Sequence, residues 1–116
     1  MSPRIFLIAA LVLAPLTAFA AGPFDGQWTG AAPTQGKVCH TTDIVLTVNG
    51  KSASGTATTS VGKFNISGQI DDQGNFAGRL GNEPFTGKFD GNGFAGVYST
   101  PYQMCPKRDV RLQRGK

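Results

Sequence analysis

Residues Phe64–Tyr98 read FNISGQIDDQGNFAGRLGNEPFTGKFDGNGFAGVY. Four tripeptides recur in this stretch: Ile66-Ser67-Gly68, Phe76-Ala77-Gly78, Phe85-Thr86-Gly87 and Phe94-Ala95-Gly96. Each places a large apolar residue two positions before a glycine. In a strand, residues two apart share a face. The spacers are small or polar and suit solvent. The residues between the tripeptides set the expected pairing. A three-residue loop Asp72-Gln73-Gly74 puts Ile70 opposite Phe76, Gly68 opposite Gly78 and Ile66 opposite Leu80. A tip at Asn82-Glu83 puts Leu80 opposite Phe85, Gly78 opposite Gly87 and Phe76 opposite Phe89. A tip at Gly91-Asn92 puts Phe89 opposite Phe94, Gly87 opposite Gly96 and Phe85 opposite Tyr98. The expectation is one row of glycines across four strands, flanked by bulky rows. Glycine weakens a strand but lets a sheet bend sharply.

Upstream, Lys37–Val48 is the longest strand candidate, with Ile44, Leu46 and Val48 in one phase. Asn49-Gly50 is a strong hairpin signal. It predicts Leu46 opposite Ala53, Ile44 opposite Gly55 and Thr42 opposite Ala57. A tip at Gly62-Lys63 puts Ala57 opposite Gly68 and extends the small row to six strands. Trp28-Thr29-Gly30 repeats the large-x-glycine pattern, so Phe24–Gly30 is read as the first strand. Ala31–Gly36, with Pro33, is read as a loop. Downstream, Thr100–Lys107 holds Pro101 and Pro106 around Cys105 and reads as an irregular connection. Asp109–Arg114 alternates Val110 and Leu112 with Arg111 and Gln113, which predicts the last strand. Eight short strands joined mostly by tight turns predict an all-β fold. The architecture expected is an eight-stranded antiparallel up-and-down meander barrel, whose closure removes exposed edges. A twisted β-sandwich is the alternative.

Met1–Ala20 reads as a signal peptide: Arg4, the apolar run Ile5–Leu13, and the small-x-small site Ala18-Phe19-Ala20. Pro15 and the following Gly22-Pro23 argue against a spanning helix, so no transmembrane segment is expected in the mature chain. Residues 21–116 then form a single domain, exported to the periplasm or extracellular space. Cys39 and Cys105 are an even pair in an exported chain and read as a disulfide. Their placement carries a tension. If Lys37–Val48 is a regular strand, Cys39 faces outward; either the bond lies at a barrel end, or a bulge near Thr41-Thr42 turns Cys39 inward.

The chemistry-bearing residues are sparse. His40 is the single histidine, and no Cys-x-x-Cys spacing exists, so no metal and no cofactor are expected. The expected register points His40 inward beside Tyr98, as a lining residue or as a ligand contact in the barrel mouth. No phosphate loop or Gly-x-Ser-x-Gly elbow is present. Four of the seven carboxylates fall at expected turns, where aspartate caps the backbone. Asp71-Asp72-Gln73-Gly74 and Asp90-Gly91-Asn92-Gly93 lack the ligand set of a calcium loop. Nothing here assembles a nucleophile with a base or a pair of acids. The formal net charge is +4, with Lys107, Arg108, Arg111, Arg114 and Lys116 gathered near the C-terminus. Without interleaved aromatics this does not predict nucleic-acid binding.

Gly26-Gln27-Trp28 on the first strand, with a basic residue on the last, resembles the calycin barrels, meaning lipocalins and avidins. The resemblance implies that Trp28 packs near one barrel end beside a late arginine, with Arg111 the first match and Arg108 the second. An avidin-like biotin site uses several tryptophans, and this chain has one. The chain is also similar to small glycine-rich, signal-bearing bacterial proteins. The function expected is non-catalytic binding of a protein partner, as for an inhibitor or envelope factor. The alternative is a calycin-like carrier of a small apolar ligand in the barrel interior. Tyr102 and Met104, in the proline-bracketed connection, are adaptable contact residues. Candidate binding residues are therefore Trp28, His40, Tyr98, Tyr102, Met104, Arg108 and Arg111.

Overall fold

Alternation of period two governs the chain. In the computed structural model, which describes Gly22–Gly115, buried and exposed residues alternate along most strands. The expected signal segment Met1–Ala20 lies outside the described residues. Eight strands follow in order: β1 Gly26–Ala32, β2 Thr42–Asn49, β3 Ser52–Thr59, β4 Gly62–Ile70, β5 Asn75–Leu80, β6 Glu83–Asp90, β7 Gly93–Ser99 and β8 Lys107–Arg114. Each pairs antiparallel with the next, and β1 pairs with β8. The result is a closed up-and-down barrel. A sandwich would leave two open sheets; closure leaves no free edge.

The registers agree with the sequence at two hairpins and depart from it at three. Ile70–Phe76, Gly68–Gly78 and Ile66–Leu80 are paired as expected, and so are Phe89–Phe94, Gly87–Gly96 and Phe85–Tyr98. Between β5 and β6, however, Gly78 faces Phe85 and Phe76 faces Gly87. Gly81-Asn82 forms that tip, with Gly81 at φ 63°. Between β2 and β3, Asn49 pairs with Ser52, so Gly50-Lys51 forms the tip and Ile44 faces Ala57. Between β3 and β4, Thr59 pairs with Gly62 and Ala57 faces Phe64. Thr59 caps that Ser60-Val61 tip itself: its Oγ1 accepts from Val61 N at 3.1 Å and donates to Gly62 O at 3.1 Å. The single glycine row is therefore broken. Two glycine pairs, Gly68–Gly78 and Gly87–Gly96, stand displaced by two residues, and each shift of two or four keeps every side chain on its expected face.

A row that leaves β1 at Gly26 runs through Val48, Ala53, Gly68, Gly78, Phe85 and Tyr98 to Arg108. Continuing the Ala31–Arg111 pairing by three residues brings it back to β1 level with Thr34, eight positions past Gly26. Eight strands with this stagger make a barrel whose interior side chains can fill. They fill it by setting large against small. The Phe76 ring lies over Gly68 and Gly78, and the Phe94 ring over Gly87 and Gly96. Edge-to-face and tilted rings run from Trp28 through Phe89 (4.8 Å between centroids), Phe94 (4.6 Å) and Phe85 (5.8 Å) to Tyr98 (6.0 Å). Outward rows are mostly polar: Asp43 and Thr47 flank the exposed Val45 on β2, with Lys63 and Asn65 on β4 and Thr86 and Lys88 on β6. That is the inverse of a membrane-spanning barrel, which is apolar outside. Among the described residues no helix is long and apolar enough to cross a membrane.

Candidate functional site at the disulfide end

The meander divides the connections between two ends. One end carries the tips Gly50-Lys51, Asp72-Gln73-Gly74 and Gly91-Asn92 beside Phe24 and Arg114. The other carries the long connections 33–41 and 100–106 with the tips Ser60-Val61 and Gly81-Asn82.

At the first end Trp28 is fully buried, and its Nε1 donates to Phe24 O at 2.9 Å. The arginine over its ring is Arg114, 4.9 Å from the centroid. Arg114 also donates to the carbonyls of Pro23 (2.8 Å), Asp25 (3.1 Å) and Gly91 (3.1 Å). Neither expected arginine is there. Arg111 is exposed on the outer wall, because β8 alternates and position 111 has the outward parity. It borders a depression of about 400 Å3 with Lys88, Ala95 and Asp109. Arg108 is inward but near the opposite end, six residues from Arg114 along β8. The β1–β8 pairing sets Arg114 opposite Trp28, and this decides which late arginine reaches the ring.

At the second end Cys39 and Cys105 form a disulfide, with Cα atoms 5.7 Å apart and both residues nearly buried. The expected tension dissolves because β2 starts at Thr42, not Lys37. Cys39 lies before the strand, in a small loop closed by Gln35 N to Cys39 O (2.8 Å) and Cys39 N to Gln35 O (3.2 Å). Strand parity therefore does not bind it, and no bulge is needed. His40 consequently turns to solvent and leaves the lining. Tyr98 is buried, and its hydroxyl is 3.1 Å from Thr42 Oγ1. Arg108, 4% exposed, donates from Nη2 to Ala32 O (3.0 Å) and Pro33 O (2.8 Å). Its Nε is buried without a partner, and no carboxylate pairs with it among the described residues. Arg108 and Tyr98 thus form the floor that anchors the 33–41 connection, instead of an open contact surface.

The 100–106 connection is held by its own bonds. Thr100 N donates to Pro106 O at 2.9 Å, Cys105 N to Tyr102 O at 3.1 Å, and Thr100 Oγ1 to Cys105 O. Tyr102 and Met104 project from it, 63% and 73% exposed. Val38, Val61 and Phe64 are also exposed at this end. Sequence reading missed these three; the displaced β3–β4 turn puts Val61 in the tip and Phe64 at the rim. The structure therefore puts Tyr102 and Met104 at the same barrel end as Val38, Val61 and Phe64. It leaves Trp28 at the far end and Arg111 on the wall. Among the described residues no group of three or more His, Cys, Asp or Glu side chains assembles. No family model, no curated protein and no solved structure matches this chain.

Proposed function

We propose that this chain is a non-catalytic, exported binding domain that engages a protein partner through its disulfide end. One observation carries the reading: most of the large exposed apolar side chains lie on that rim, around loops already fixed by a disulfide and by buried hydrogen bonds. Apolar exposure concentrated at one end of a molecule whose wall is mostly polar points to an interaction site. Fixed loops lower the ordering cost of association. Tyrosine and methionine are enriched in interface cores. The filled aromatic interior supports a surface site over an interior carrier, and the disulfide supports an oxidising compartment. Arg114 over Trp28 is compatible with the calycin resemblance, on a different arginine from the one it implied.

The test is Tyr102→Ala with Met104→Ala. Both side chains are exposed, so the unfolding midpoint should stay nearly unchanged while capture of a partner from the native compartment is abolished. A variant that unfolds early yet still captures its partner would move the site elsewhere.

A further inference from the structure

The two barrel ends differ in charge as well as in polarity. The disulfide end presents Lys37, Lys63, Arg79 and Lys107 to solvent, against exposed Asp43 and half-buried Glu83. Beneath them lies the buried Arg108 guanidinium, bonded to the Ala32 and Pro33 carbonyls and, among the described residues, facing no paired carboxylate. The opposite end carries Asp25, Asp71, Asp72 and Asp90 against Lys51, which pairs with Asp72 at 3.1 Å, Lys88, and Arg114, whose guanidinium is bonded to backbone carbonyls. A cation held in a low-dielectric floor is poorly screened, so its field reaches the rim above it.

We infer that the partner of the disulfide end is an acidic protein surface that also offers an apolar contact for Tyr102 and Met104. This rests on the docking role proposed above and adds the partner's chemistry. Complementary charge would steer encounter and set orientation, and the apolar pair would supply the contact. A lipid surface is the less favoured occupant. Lipid-docking clusters bring about four to eight basic residues together on one patch, whereas the four here are spread over the β1–β2 connection, β4, β5 and β8, with Asp43 and Glu83 among them. Four of its five exposed apolar residues are also not those that interfacial segments favour, namely Trp, Phe and Leu.

The experiment is an NMR titration of the oxidised domain with three synthetic amphipathic peptides. All share a Leu/Phe face, and their polar face is Glu, Gln or Lys. Vesicles of phosphatidylglycerol and phosphatidylcholine form a fourth arm. The Glu peptide should bind about tenfold tighter than the Gln peptide and weaken with salt. Its shifts should centre on the amides of Val38, Lys63, Tyr102 and Lys107. Lys63→Glu with Lys107→Glu should invert the preference toward the Lys peptide without moving the unfolding midpoint. Equal binding of the three peptides, no saturable binding, or vesicle binding tighter than Glu-peptide binding would each overturn the inference. Its failure is separable from that of the docking role. If the charge-reversal variant still captures its native partner and Tyr102→Ala/Met104→Ala does not, the partner is not acidic but the surface is right. If both variants capture it, the surface is wrong as well.

Discussion

Glycines in the strands differ in what they must avoid. A Cβ on Gly68 would sit 2.5 Å from the Phe76 ring, and one on Gly87 would overlap the Phe94 ring. Neither ring can retreat, because each packs against Phe85 and Phe89 or their neighbours. Gly68→Ala and Gly87→Ala should each lower the unfolding free energy by about 1–3 kcal/mol through overpacking. Gly93 has only Asp90 O at 3.8 Å near the same position, so Gly93→Ala should fall within about 0.5 kcal/mol of the parent. Urea denaturation of the three variants checks the ranking, and equal effects would refute it. The arginines separate in the same way. Arg114→Gln forfeits a stacked ring and three carbonyl acceptors and should cost about 1–3 kcal/mol. Arg111→Gln, on the outer wall, should be nearly silent.

Hairpin tips decide register, and here glycine position decides the tips. Gly50, Gly81 and Gly91 each take the first turn position with φ between 61° and 67°. Reading Asn49-Gly50 with glycine second, or Asn82-Glu83 without Gly81, displaces the ladder by two residues. Reading Gly91-Asn92 with glycine first gives the observed pairing. The tip at Ser60-Val61 was illegible because a threonine side chain, not a glycine, closes it. Asp72-Gln73-Gly74 was legible because Asp71 and Gly74 both serve it. Asp71 accepts from Asn75 Nδ2, Asn75 N and Gln73 N, each at 2.9 Å. The Asn75 side chain, then these amides, hold its carboxyl below the ordinary 3.8, with burial opposing and Lys88 assisting. Because the folded value is depressed, this support is complete above the ordinary value and is lost as pH falls through the folded one. The Gln73 and Asn75 amide resonances should therefore titrate with a midpoint below 3.8. A midpoint at or above it would contradict the bonding. The disulfide acts on two connections at once. It joins residues 66 apart in sequence, so the chain-entropy model assigns its loss about 4 kcal/mol. Cys39→Ser with Cys105→Ser should show that drop. Thiol titration of the unfolded parent should find no free thiol, and two reactive thiols would remove the bond from the argument.

On the scale of the whole molecule, the barrel was legible because face depends only on parity, which every register shift here preserves. The rim was legible only in part. Tyr102 and Met104 announce themselves in a proline-bracketed loop, whereas Val61 and Phe64 reach the surface through a four-residue displacement that no local signal marks. Parity also explains why the interior is full. All four large residues of the tripeptides point inward, and the Phe76 and Phe94 rings close over the gaps the glycines leave. An interior carrier needs a cavity of about 300 Å3 or more. Two depressions, of about 400 and 240 Å3, lie on the outer wall and at the aspartate-bearing end. The single tryptophan reports on this directly, since Trp28 is fully buried against Phe89. Titration with a fatty acid or another small apolar probe should leave Trp28 emission without a saturable change. A one-to-one quench with retained fold would show that the rings part to admit a ligand, and would restore the carrier reading. Phe85→Ala provides the positive control. It opens a cavity among Phe76, Phe94 and Tyr98 at a cost of about 3–5 kcal/mol. If that variant stays folded, it should bind the probe where the parent does not.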